Sequence, residues 1–134
     1  MKLHTDSPNP ALNTVTGYSQ TGIEINAITY SHSVLLLPEG EVKLWNVANI
    51  QDIDTVHIDK MAKFSPELIV IGTGLKQHFL HPSLQVKLTS ERIGLEVMAT
   101  AAACRTYNIL MAEGRKVLGA FIVEPVVDLN TEAS

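Results

Sequence analysis

Cysteine is almost missing from this chain: Cys104 is the one thiol in 134 residues. A single cysteine excludes an internal disulfide, and with it a fold stapled for an oxidising compartment. Positive charge is scarce as well. Ten lysines and arginines face fourteen aspartates and glutamates, a formal net charge of −4, so no basic excess is available to meet a nucleic acid or an anionic membrane. Long apolar runs are lacking too. "SVLLLP" and "LIVIG" are strand length, far below the roughly 20 residues of a membrane-spanning helix. The opening "MKLHTDSPNP" has no apolar leader core and no Arg-rich amphipathic pattern, so a cytoplasmic protein is expected. Repeats and low-complexity segments are absent.

What is present is a globular composition, 46% hydrophobic and 18% charged, long enough for one multi-layer core. Residues 1–14, with two prolines between His4 and Ala11 and little periodicity, read as an irregular N-terminal arm. Residues 15–123 read as a single α/β domain, and 124–134 as a flexible C-terminal tail. From Gly22 the alternation of Ile23, Ile25, Ala27 and Thr29 predicts one strand, and Ser33–Leu37 a second, covered on both faces. A turn at Pro38–Glu41 leads to a strand over Val42–Val47. "DTVHIDKMAKFSPE" predicts a helix stopped by Ser65-Pro66. "ELIVIGTG" is the clearest buried strand, followed by a short extended "QHFL". A helix then runs from about Pro82 to Arg92, with Gly94 just past its end. The strand "GLEVM" follows. Next comes a helix capped by Thr100 and ended by Gly114, and a last strand, "KVLGAFIV". The sum is a three-layer α/β fold with a mixed, partly parallel central sheet, an antiparallel hairpin region in front and about three helices.

Chemistry is less legible. Gly72-Thr73-Gly74 ends a buried strand, where backbone N–H groups approach a ligand easily. Neither a phosphate-loop nor a dinucleotide fingerprint is completed, so no cofactor is called for. If the strands "LIVIG" and "GLEVM" are parallel, their carboxyl ends meet at one rim. The glycine turn and the helix start at Thr100 would then form a crevice suited, with Arg105, to a small anion. Cys104 could be an activated thiolate beside Arg105. More simply, it is a packed residue on a helix that is apolar almost all round. Glu113 could act as an acid or base paired with Arg115, or both could be a solvated helix end. His78 and His81 lack a third ligand at metal-binding spacing, so no metal site is expected.

The blocks "TGIEIN", "SVLLLPEG", "PELIVIGTG" and "GLEVMATAAACRTYNILMAEGRKVLGA" together resemble a family of small bacterial and archaeal proteins. That family also includes mitochondrial complex I assembly factor 3 and a vertebrate adipogenesis-associated protein. The resemblance runs from about Val15 to Val123. It implies a three-layer α/β domain without established catalytic activity, a shallow pocket near the glycine turn and the cysteine-bearing helix, and protein partners. The matching site positions are Gly72, Thr73, Gly74, Met98, Thr100, Cys104, Arg105, Tyr107, Asn108, Glu113 and Arg115. Ala99 stands where many relatives carry Asp, which removes an acid from the pocket mouth. The expected function is therefore non-catalytic binding or assembly, with a homodimer compatible. The alternative is an anion binder or enzyme using the crevice.

Overall fold

The computed structural model describes residues 11–125, so the expectations for 1–10 and 126–134 lie outside the described residues. Strands β1 (Val15–Ser19), β2 (Gly22–Ile25) and β3 (Ile28–Tyr30) form an antiparallel three-stranded sheet. Strands β4 (Val34–Leu36), β5 (Lys43–Leu44), β6 (Leu68–Gly72), β7 (Gly94–Met98) and β8 (Val117–Phe121) form a mixed sheet in the order β5-β4-β8-β6-β7. The helices are α1 (Thr55–Ala62), α2 (Pro82–Ser90) and α3 (Thr100–Ala112). This is the α/β arrangement with a hairpin front that the sequence predicts.

Period-two alternation explains the layers, because successive side chains of a strand point to opposite faces. Ile69, Ile71, Leu118 and Ala120 pack on one face of the mixed sheet with Ile58 and Met61 of α1 and Leu84 and Leu88 of α2. Leu68, Val70, Val117 and Phe121 pack on the other with Ala103, Cys104, Tyr107 and Met111 of α3 and Ile23 and Ile25 of the small sheet. Each Val, Leu, Ile, Phe or Met among them is worth about 1.5–3 kcal/mol on burial, so a one-residue slip of β6 or β8 would misplace both cores at once.

Several local expectations are corrected. The single strand expected over 23–29 is a hairpin. Asn26 and Ala27 take φ of 48° and 68°, and Ile25 pairs with Ile28 across a two-residue turn. Asn26 supports the turn by accepting from Thr14 N–H at 3.1 Å and donating to Leu12 C=O at 3.1 Å. A first strand, β1, starts at Val15 where only the domain was expected to begin. The strand expected over Val42–Val47 shrinks to Lys43–Leu44, although Trp45 and Val47 still turn inward. "QHFL" forms no paired strand. α2 ends at Ser90, and the left-handed residue is Arg92 (φ 60°), not a glycine. Arg92 N–H donates to Thr89 C=O and Ile93 N–H to Leu88 C=O, the paired bonds of a Schellman end. Gly94 instead opens β7. α1 begins with a reciprocal cap: Asp54 Oδ1 accepts from His57 N–H, and His57 Nδ1 accepts from Asp54 N–H, both at 3.1 Å.

Candidate functional site at the carboxyl ends of β6 and β7

β6 pairs in parallel with both β7 and β8, with Gly72 opposite Met98 on one side and Phe121 on the other. The glycine turn and the start of α3 therefore meet at one rim. They meet so closely that they bond to each other. Thr100 N–H donates to Gly74 C=O at 2.9 Å. Gly74 N–H donates to Thr100 Oγ1 at 2.8 Å, and that hydroxyl donates to Ile122 C=O at 2.8 Å. A Cβ on Gly72 would lie 2.8 Å from Thr100 Oγ1 and 2.9 Å from its Cα. Glycine is needed here for the close approach of α3, and the expected crevice is filled by Thr100.

Thr100 is accordingly not the cap the sequence suggests. Ala99 occupies that position without a side-chain bond, and the Thr100 hydroxyl is turned inward to tie the turn, α3 and the end of β8 together. Thr73 is used in the same way. Its hydroxyl donates to Lys76 C=O at 2.6 Å and accepts from His78 N–H at 3.1 Å, shaping the 73–78 loop. Outside the turn, Leu75 N–H donates to Glu124 Oε1 at 2.7 Å. The site expected to hold an anion thus faces a carboxylate of its own chain. Tyr18 lies beside Thr100, Cys104 and Glu124; burial first, then Cys104 and Glu124, push its phenol above the ordinary range, opposed by its hydrogen bond with Thr100.

The other expected site residues spread along α3. Cys104 is fully buried, and burial pushes its thiol up to about 12, opposed only by the Arg105 guanidinium. The raised value favours the neutral thiol in the folded chain. Its contribution to stability is therefore complete below the unfolded value of about 9 and lost as pH rises toward about 12. Cys104 should not react with a thiol reagent at neutral pH until denaturant is added; prompt stoichiometric labelling of the native protein would contradict the packed reading.

Arg105 is exposed on the flank of the helix, and Ile109 is 61% exposed, so α3 has a solvent face that its apolar sequence hides. Tyr107 is fully buried, edge-on to Phe121 with ring centres 5.6 Å apart, and its hydroxyl donates to Asn13 C=O at 2.8 Å. Asn108 clamps β1: its Oδ1 accepts from Val15 N–H at 3.0 Å while its Nδ2 donates to Val15 C=O at 2.8 Å. Glu113 and Arg115 lie at the far end of a thirteen-residue helix, about 20 Å from Thr100. Gly114 takes φ 81°, and its N–H and that of Arg115 donate to Met111 and Leu110 C=O in a second Schellman end. Arg115 also approaches Glu67 at 3.8 Å. Gly72, Thr73, Gly74 and Thr100 are thus brought together, while Tyr107, Asn108 and Arg115 serve other contacts and Glu113 is exposed just past the end of α3.

Two open grooves lie away from this rim, and only the second is bordered by the family blocks, through "LLPE" and "MAEGRK". One, of about 600 Å³, lies between the 3-10 turn Ile50–Asp52 and the starts of α1 and α2, with Ile53, His78, Phe79 and Leu84 in its lining. Phe79 there is 83% exposed; the one sequence signal was an aromatic within the polar stretch "KQHFLHP". The other, of about 480 Å³, is lined by Leu12, Leu37, Met111, Arg115 and Lys116 among others. Trp45 is buried edge-on to His57. Among the described residues, no group of three or more His, Cys, Asp or Glu side chains is placed to hold a metal ion, and no helix is long and apolar enough to cross a membrane.

Comparison with known proteins places the fold in a family. Residues 15–122 match the family model described as "Protein of unknown function (DUF498/DUF598)". The chain is 35% identical over 113 residues to a mouse protein named NADH dehydrogenase [ubiquinone] 1 alpha subcomplex assembly factor 3, covering 83% of this chain and 60% of the relative's length. It is 35% identical over 96 residues to the 13 kDa major membrane protein of Francisella tularensis, covering 69% of this chain and 76% of that one. A crystal structure of a Bordetella parapertussis protein superposes with a TM-score of 0.80 at 44% identity, covering 86% of this chain and 98% of that one. The chain spans three-fifths of the length of the mouse relative. With nearly all of its described residues inside the family match, the chain belongs to the DUF498/DUF598 family.

Proposed function

We propose that the protein is a non-catalytic binding component in the assembly of a larger protein complex. The observation that carries this reading is the internal use of the motif block. Thr100, Tyr107 and Asn108 spend their polar atoms on the chain's own backbone, and Cys104 is buried with a raised thiol. Such an arrangement offers a substrate no poised nucleophile or base. What faces outward is surface, including Phe79 beside its groove and Arg105 on α3. The mouse relative's name supports a role in assembling NADH dehydrogenase, and the proposal takes that complex as the first place to look. Cytoplasmic location belongs to the same proposal; the Francisella relative's name makes the membrane fraction the alternative that fractionation decides.

The test is affinity capture from native cells with wild type, Phe79→Ser and Arg105→Ala, all three expected to fold because both side chains are exposed. The reading expects a reproducible set of proteins with wild type, NADH dehydrogenase subunits among them, and a reduced set with at least one variant. A wild-type capture no different from that of an unrelated acidic protein would defeat it.

A further inference from the structure

We propose that the outer side of the Gly74–Leu75 turn is a carboxylate receptor, filled at rest by Glu124 and open to exchange with a carboxylate from a binding partner. Three observations carry it. The resident ligand is already a carboxylate: Leu75 N–H donates to Glu124 Oε1 at 2.7 Å. The receptor has space made for it, because Gly74 has φ +102° and a Cβ there would collide with the Glu124 carboxylate. Finally, the contact lies at the surface. Leu75 is 50% exposed and Glu124 is half-buried, whereas the neighbouring Thr100 and Thr73 bonds are inside.

Glu124 also lies beyond the last residue of β8, Phe121. The last anchors before it are Ile122, whose N–H donates to Gly72 C=O at 2.9 Å, and Val123, whose N–H donates to Ser33 Oγ at 2.9 Å. Releasing Glu124 therefore requires swinging one side chain while the sheet stays paired. A tethered carboxylate competes with a free one through its effective concentration, of order millimolar or above for a short tether. An incoming group wins when its own neighbouring contacts make up that difference. An acidic side chain or a free carboxyl terminus on a protein partner has the right chemistry. That identity rests on the protein-binding reading above; the receptor itself does not.

The experiment follows the Leu75 amide resonance of the full chain by NMR in wild type, Glu124→Ala and Glu124→Met. In Glu124→Ala the resonance should move away from its wild-type position. Sodium acetate should return it saturably, with a rise in melting temperature that equal sodium chloride does not give. Wild type should need about tenfold more acetate, or higher, for a comparable response. Glu124→Met, which keeps the length of the side chain but has no oxygen to accept from Leu75 N–H, repeats the test if the alanine variant folds poorly. Two short peptides distinguish the sources, one with an internal glutamate and an amidated end, the other with a free carboxyl terminus and no acid. Response of Glu124→Ala to either supports the receptor and names its source. A Leu75 resonance indifferent to acetate and both peptides in the variants would overturn the proposal. Equal midpoints for wild type and variant would overturn it too. Because these titrations use no cellular partner, they fail or succeed independently of the capture experiment.

Discussion

Thr100→Val should lower the unfolding free energy by about 2–5 kcal/mol, whereas Thr100→Ser should stay close to wild type. Valine keeps the volume of threonine but removes a hydroxyl that is buried completely. Two groups then lose a partner: Gly74 N–H, which donates to that oxygen, and Ile122 C=O, which accepts from it. Each buried polar group left unpaired costs about 1–3 kcal/mol, so the loss exceeds that of one ordinary hydrogen bond. Serine retains the hydroxyl and gives up only a methyl group. Urea denaturation of the three proteins checks the order. A valine variant as stable as wild type would mean that the rim does not depend on this hydroxyl.

Tyr107→Ala should cost about 3–5 kcal/mol, the range for deleting a buried aromatic ring, while Tyr107→Phe should cost about 1–2 kcal/mol. The alanine variant opens a cavity against Phe121, whose ring meets Tyr107 at 89°. The phenylalanine variant keeps the ring and leaves only the Asn13 C=O without its donor. Asn13 in turn holds the 37–40 turn, through Nδ2 to Leu37 and Gly40 C=O at 2.8 Å each. The phenylalanine variant should therefore loosen residues 11–15 and 37–40 locally, visible as faster amide exchange there, before it weakens the whole fold. Equal stability of the alanine and phenylalanine variants would show that ring packing contributes little.

The sequence carried the mixed sheet well and the small sheet poorly, for reasons visible in single residues. Leu68–Gly72 is continuous, β-branched and bounded by Pro66 and Gly72, and both of its faces are covered, so its pattern and its environment agree. β1 had no such signal. Gly17 interrupts it, its pairing is irregular between Val15 and Gly17, and it is held by Asn108, 93 positions away. The hairpin at Asn26-Ala27 was hidden because its turn lacks the glycine that usually marks one, and the support comes from Asn26 bonding back to Leu12 and Thr14. In the site, the convergence of the glycine turn with α3 was legible, since parallel strands bring their carboxyl ends to one edge. Its closure was not. A threonine one residue past the cap looks like a cap in any linear reading, and only the tertiary approach of Gly74 and Ile122 gives its hydroxyl a better partner. Glu124 was invisible for the same reason: its position just past β8 says nothing of the Leu75 amide it meets.

Hydrogen exchange at the Gly74 and Thr100 amides examines the closed rim directly. Both N–H groups are bonded across the two elements, Gly74 to Thr100 Oγ1 and Thr100 to Gly74 C=O, so they should exchange only with the slowest, globally protected amides of β6. If they instead exchange at the rate of surface loops, the turn and the helix part readily, a ligand crevice exists in solution, and the closed-rim account is wrong.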